Sequence, residues 1–215
     1  MPMESSTSQQ VAEYLLQIKA IKLEPKNPFT WASGWKSPIY CDNRITLSYP
    51  KIRQFLSEAM AQDIKARYPK AKAIAGVATG AIGIGILVAE ALNLPFMYVR
   101  PQPKKHGRQN QIEGQFDPNA PTVVVEDLIS TGKSSLQAVE ALRNANIPVL
   151  GMVALFSYEF DIAKENMQQA NVELKTLSGY EALIDTAIET NYIAPEQEKV
   201  LKQWREAPHL WKPTA

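Results

Sequence analysis

The sequence predicts an α/β fold: an open, mostly parallel sheet flanked by helices, with a small N-terminal hood. Three observations carry that expectation. Apolar runs of strand length, at 73–78, 96–99, 122–125 and 148–156, alternate with stretches of helical periodicity. Two of these runs end in turns of glycine and small hydroxyl residues that open helices, a layout suited to binding anions at the carboxyl ends of strands. An aromatic stretch at 29–42, with a Ser-Gly turn at its centre, precedes the first buried strand and reads as a separate hairpin.

Composition sets the outer limits. A chain of 215 residues can bury one good core, so 1–215 is expected as a single domain with a hood over about 1–48, a core over about 49–157 and a C-terminal helical extension over about 158–215. Lys and Arg total 23 against 22 Asp and Glu, a net charge of +1, which supplies no global field for nucleic acid. Any anion site must therefore be local. The one cysteine, Cys41, cannot form an internal disulfide, suits a reducing compartment and is expected as a small buried hydrophobe. The amino terminus lacks a basic region followed by an apolar run and no stretch reaches membrane-spanning length, so a cytoplasmic protein without a membrane partner is expected.

Taken in order, 8–21 carries Val11, Tyr14, Leu15, Ile18 and Ile21 at helical spacing behind hydroxyl residues that can cap it. Pro25 and Pro28 stop that helix ahead of the hairpin. Residues 50–66 place Ile52, Phe55, Leu56, Met60 and Ile64 on one face after a proline, as a covering helix does. The run 73–78 is the first buried strand. Thr79, Gly80, Gly83 and Gly85 follow it in the order GxxGxG, which is not the dinucleotide fingerprint GxGxxG. Such a turn serves either to hold a diphosphate on backbone amides or to pack helix closely on sheet. After the strand 96–99, residues 100–114 hold Arg100, Lys104, Lys105, His106 and Arg108 with almost no apolar residue. That composition cannot pack, so a mobile basic loop is expected, suited to closing over an anionic leaving group. Beyond the central motif, 134–144 and 162–169 read as helices, 172–177 as a short strand, and 179–189 and 195–204 as helical segments without assignable chemistry. His209 has no second ligand at metal-binding spacing.

The centre of the chain is Thr122-Val123-Val124-Val125-Glu126-Asp127-Leu128-Ile129-Ser130-Thr131-Gly132-Lys133-Ser134-Ser135. The turn at 130–134 can aim successive N–H groups at a phosphate, hydroxyls add donors, and the helix that follows presents its positive end. Glu126 and Asp127 would repel that phosphate and must face something that donates to carboxylates, such as sugar hydroxyls. Phosphate beside a diol points to a phosphorylated ribose or another phosphosugar. An NTPase loop, GxxxxGK[ST], is disfavoured because its first glycine would fall at Asp127, and an ordinary capped αβ loop leaves two adjacent carboxylates without partners.

Residues 123–132 resemble the signature of type I phosphoribosyltransferases, which move ribose phosphate from 5-phosphoribosyl 1-diphosphate (PRPP) onto a nitrogen base. Phe29-Thr30, Ser33-Gly34 and Lys36-Ser37-Pro38-Ile39-Tyr40 are similar to the hood of the orotate phosphoribosyltransferase family, with Tyr40 at the aromatic position beside the pyrimidine. Arg100, Lys104, His106 and Gly107 align with that family's catalytic loop, which reaches into the partner subunit's site.

The resemblance, over roughly 29–157, implies a type I phosphoribosyltransferase-like fold, a homodimer with a shared basic loop, and orotate plus PRPP giving orotidine 5′-monophosphate and pyrophosphate in pyrimidine (UMP) biosynthesis. It implies Mg²⁺ held mainly by PRPP rather than by protein ligands. PRPP contacts are expected from Arg100, Lys104, His106, Glu126, Asp127, Leu128, Ile129, Ser130, Thr131, Gly132, Lys133 and Ser134. Lys104, His106 and Asp127 are the expected catalytic residues, and Ser130, Tyr40 and Arg44 the expected orotate contacts. Three positions depart from some family members, with Ala32 and Gly80 in place of lysines and Tyr158 in place of an orotate-contacting arginine. Arg44 is the expected substitute cation for the orotate carboxylate. The rival readings are a purine or uracil phosphoribosyltransferase, and a non-enzymatic regulator of the same fold.

Overall fold

The computed structural model describes residues 6–31, 34–101 and 111–213. Helix α1 (Thr7–Gln17) begins at a capping box in which Ser6 Oγ accepts from the Gln9 N–H at 3.3 Å and the Gln9 side chain accepts from the Ser6 N–H at 3.0 Å. It buries Val11, Ala12, Leu15 and Leu16. The helix is shorter than the periodicity implied: Lys19 takes a left-handed φ of 57°, and Ile21 leaves the helical register to begin a strand.

Four short strands follow, β1 (Ile21–Leu23), β2 (Phe29–Thr30), β3 (Lys36–Ser37) and β4 (Ile39–Cys41). β2 pairs with β3, whereas β4 pairs antiparallel with β1, Ile21 opposite Cys41 and Leu23 opposite Ile39. The hood is therefore two small ladders joined at Pro38, not the single hairpin expected at 29–42. Ile21, Leu23 and Ile39 are buried, and stacking them on one face explains why the β1–β4 ladder forms. A 3₁₀ turn, Asn43–Ser48, leads to α2 (Pro50–Arg67), which opens on proline.

The core is built from β5 (Ala73–Val77), α3 (Ala81–Leu92), β6 (Phe96–Val99), β7 (Ile112–Glu113), β8 (Thr122–Ile129), α4 (Lys133–Asn144), β9 (Val149–Ser157), α5 (Asp161–Gln169) and β10 (Leu174–Gly179). The six strands lie in the order β10-β9-β8-β5-β6-β7, parallel throughout except for β7, which runs against β6. Val123, Val124 and Val125 in the middle of β8 are at most 1 % exposed, as both faces of a central parallel strand must be. β8 extends four residues past the valines to Ile129, because β9 continues to pair alongside it through Leu128–Phe156 and Ile129–Ser157.

From β5 the chain moves outward to β6, and from β8 it moves the other way to β9 and β10. Right-handed crossovers in opposite directions put α3 and α4 on opposite faces and make the β5–β8 boundary the topological switch point. Ligands of open parallel sheets bind in the crevice outside the carboxyl ends at such a point.

Helix α6 (Tyr180–Glu189), a 3₁₀ turn at Pro195–Gln197 and helix α7 (Glu198–Glu206) end the described fold. Residues 158–215, expected as a helical extension, supply the edge strand β10 and several fully buried side chains, Tyr180, Leu183, Leu201 and Trp204 among them. Helix α1 from the hood end of the chain packs on β10 and α6, with Ser8 hydrogen-bonded to Ser178. Among the described residues no helix is long and apolar enough to cross a membrane.

Candidate active site

Two loops meet at the switch point. The first follows β5, where the Ala78–Thr79 peptide is cis and Gly80 precedes α3. The second follows β8, where Ser130 and Thr131 lead to Gly132 at φ 75° and then α4. The loops come close where a Cβ at Gly80 would collide with the carboxylate of Asp127. A lysine at this position, as in some relatives of the motif, has no room without displacing that carboxylate.

The two acids of the central motif occupy different surroundings, since successive residues of a strand face opposite sides. Glu126, 4 % exposed, turns toward α4, where its Oε2 accepts from Ser135 Oγ at 2.7 Å and its Oε1 accepts from the Asp127 N–H at 2.9 Å. Asp127 turns toward Gly80 and the 3₁₀ turn, and is partly exposed. Its backbone carbonyl accepts from Asn43 Nδ2 at 2.6 Å, and Asn43 Oδ1 in turn accepts from the Cys41 thiol at 3.3 Å. Cys41 is half-buried rather than fully so, and burial followed by the Asp127 and Asp42 charges pushes its thiol well above the ordinary value. Burial raises both carboxyls of the motif; the Asp127 charge raises Glu126 further, while hydrogen bonds to Asp127 partly offset its own shift.

The phosphate-type turn has the features that backbone anion binding requires. α4 opens at Gly132 with no side-chain cap, so its first N–H groups have no partner within the helix. Ser130 and Thr131 are half-buried, while Lys133 and Ser134 are exposed. Leu128 is half-buried, whereas the Ile129 side chain lies wholly in the core and its carbonyl accepts from the Tyr158 N–H at 3.0 Å, so Ile129 can meet a ligand only through its backbone. Behind the turn, Asn166 Nδ2 on α5 donates to the Thr131 carbonyl at 2.9 Å, and Met167 packs where a Cβ at Gly132 would sit.

Arg100 directly follows β6, at the carboxyl end of the sheet. Its N–H donates to the Gln111 carbonyl at 2.9 Å, Gln111 Nε2 donates to the Arg100 carbonyl at 3.1 Å, and its guanidinium lies 3.5 Å from Glu113. These bonds pin the two ends of the basic loop together at the carboxyl side of the sheet. Lys104 and His106 lie outside the described residues, as does Ala32 of the hood.

Above the site, Tyr40 is 40 % exposed and its ring lies 5.5 Å from that of Phe29. Arg44 is exposed, and its Nε and Nη2 donate to Asp42 at 2.7 and 2.8 Å, so two of its donors are already engaged. The third departure, Tyr158, is a buried aromatic: its ring stacks on Phe160 at 5.5 Å and lies 5.2 Å from Trp31. Sequence reasoning missed Asn43, Ser135 and Asn166. Asn43 and Asn166 hold the backbone of the central motif from distant elements, whereas Ser135 holds Glu126 from within the motif, where the doubled serine at 134–135 is the local signal.

No family model matches the chain. Among curated relatives, the orotate phosphoribosyltransferase of Bacteroides thetaiotaomicron is 58 % identical over 200 residues, covering 93 % of this chain and 94 % of that protein. Among solved structures, orotate phosphoribosyltransferase from Aeropyrum pernix superposes with a TM-score of 0.72 at 25 % identity, over 86 % of this chain and 99 % of that one. UMP synthase of Leishmania donovani gives a TM-score of 0.78 at 27 % identity over 92 % of this chain, which spans 42 % of that longer protein. With identity of this extent over nearly the whole length of both proteins, the chain belongs to the orotate phosphoribosyltransferase family.

Proposed function

We propose that the protein transfers the ribose 5-phosphate of PRPP to orotate, giving orotidine 5′-monophosphate and pyrophosphate, in UMP biosynthesis. The observation that carries this reading is the meeting of Asp127 and Gly80 at the β5–β8 switch point, directly beside an uncapped helix start.

In this reading the turn 130–134 holds the 5′-phosphate on its N–H groups and hydroxyls, with Leu128 and Ile129 contributing backbone. Asp127 accepts from the ribose hydroxyls, with Glu126 beside it; Ser135 keeps Glu126 in place. Arg100, Lys104 and His106 meet the diphosphate. Orotate lies under the hood, its ring against Tyr40 and its edge near Ser130, and Arg44 faces its carboxylate. As the bond from ribose C1 to the diphosphate oxygen breaks, the electron pair leaves on that oxygen. The base nitrogen bonds to C1 and loses its proton to the departing pyrophosphate, whose new oxygen charge can accept it. Catalysis is then positioning plus stabilisation of the departing charge, with the basic loop excluding water.

Mg²⁺ would be held mainly by PRPP's own oxygens rather than by protein ligands, and would supply charge neutralisation there. The resemblance also supports a cytoplasmic homodimer sharing the loop, and a single domain with hood, core and C-terminal part.

Pyrophosphate release from PRPP and Mg²⁺, with orotate, uracil, hypoxanthine and adenine supplied separately, tests the reading. Release with orotate alone is expected. Release with another base alone would discard the assignment of the hood, and no release with any of the four would favour a regulator.

A further inference from the structure

The hood rests on the far end of the chain. Trp204 of α7 is fully buried, and its ring meets Trp31 at 5.5 Å and 82°, Tyr158 at 5.8 Å and 83°, Phe160 at 5.5 Å and 62°, and Tyr180 at 5.5 Å. Trp31 Nε1 donates to the Ile39 carbonyl at 3.0 Å, and the Trp31 backbone N–H donates to the Trp35 carbonyl at 2.9 Å, so this one residue ties both hood ladders, the first of them through its indole. The next residue after Ile39 is Tyr40. A second contact of the same kind joins Trp35 to His209 at 5.8 Å. On the other side, Tyr180 Oη donates to the Leu201 carbonyl at 3.0 Å and anchors α7 to α6.

We propose that Trp204 is a positioning residue for the base: through Trp31 and the Ile39 carbonyl it sets the height of β4, and so of Tyr40, above the switch-point loops. The proposal rests on the assignment of the base to the space under the hood. Two features set this contact apart from ordinary core packing. The Trp204 Nε1–H is buried with no hydrogen-bond partner among the described residues, a cost that ring packing must offset. The same ring also touches Tyr158, at the carboxyl end of β9 beside the second loop, and thereby ties the hood to the sheet edge that carries the phosphate turn.

The test is Trp204→Met, which keeps apolar volume but loses the ring edges, with Trp204→Phe as the conservative partner. For Trp204→Met the KM for orotate should rise roughly tenfold, while the PRPP Kd, measured by calorimetry without orotate, stays within about twofold. Trp204→Phe should recover most of the orotate KM. An unchanged orotate KM in a folded Trp204→Met protein, or an equal loss in PRPP affinity, would overturn the proposal. If Trp204→Met does not fold, Trp204→Phe decides alone: a rise of about twofold or more in orotate KM with unchanged PRPP Kd supports it, and no rise overturns it. Wild-type protein inactive with orotate would instead overturn the functional reading on which the proposal rests.

Discussion

At the scale of single residues, the site depends on what Gly80 lacks. The Asp127 carboxylate occupies the space a side chain at 80 would fill, so Gly80→Ala should push that carboxylate out of place while leaving the sheet intact. PRPP affinity is expected to fall about tenfold or more with little change in melting temperature, and calorimetry beside thermal denaturation checks it; unchanged affinity would mean the contact is incidental. Glu126 offers a second, independent test. Burial, then the neighbouring Asp127, raises its carboxyl well above the ordinary 4.5, so the folded chain binds the proton more tightly than the unfolded chain. The stability this group contributes is therefore full below the ordinary glutamate value and is lost as pH rises from there toward the raised value. Glu126→Gln can still accept from the Asp127 N–H, can donate its amide to Ser135 Oγ in place of the second bond, and does not titrate, so its unfolding free energy should fall less than the wild type's on raising pH from about 4 upward. Parallel stability curves would contradict this.

At the scale of elements, the phosphate turn is supported from behind by α5. The Asn166 bond to the Thr131 carbonyl is half-buried and neutral, so Asn166→Ala should weaken PRPP binding about threefold to tenfold without altering the choice of base. Titration of PRPP into the variant, with orotate KM measured at saturating PRPP, separates the two effects; a change confined to orotate would misplace the turn. What was legible in the sequence follows from distance along the chain. Parallel strands buried on both faces, such as Val123–Val125, announce themselves as apolar runs, and α2 and α4 are placed by periodicity and glycine or proline boundaries within a few residues. Ile21 was misread because three-residue strands have no period of their own; only Ile39 and Cys41, some twenty residues away, make it a strand. Trp31, Tyr158 and Trp204 were unreadable as a unit for the same reason, since nothing local to any of them specifies the other two.

At the scale of the whole molecule, a sheet of six strands brings together pieces of the chain that begin, divide and end it. In the proposed reading the β5 and β8 loops would supply the phosphate and ribose contacts and the hood the base contacts, while α7 packs against the hood through Trp204 and Trp31. The ends of the basic loop, joined by Arg100 and Gln111, emerge at the β7 edge, from which the loop can serve its own site or a partner's. If subunits share loops, mixing a Lys104→Ala subunit with an Asp127→Ala subunit should restore part of the activity each lacks alone, since some hybrid sites then carry neither change. Absence of any recovery in verified hybrid dimers would confine the loop to its own site.

The central claim is that PRPP binds where β8 meets α4, with Asp127 on its ribose. The most direct measurement is PRPP affinity of Asp127→Asn against wild type, with circular dichroism to establish that the fold is retained. Loss of the charge-assisted bonds to the ribose hydroxyls should weaken binding about tenfold to a hundredfold. A correctly folded Asp127→Asn protein that bound PRPP as tightly as the wild type would contradict the claim.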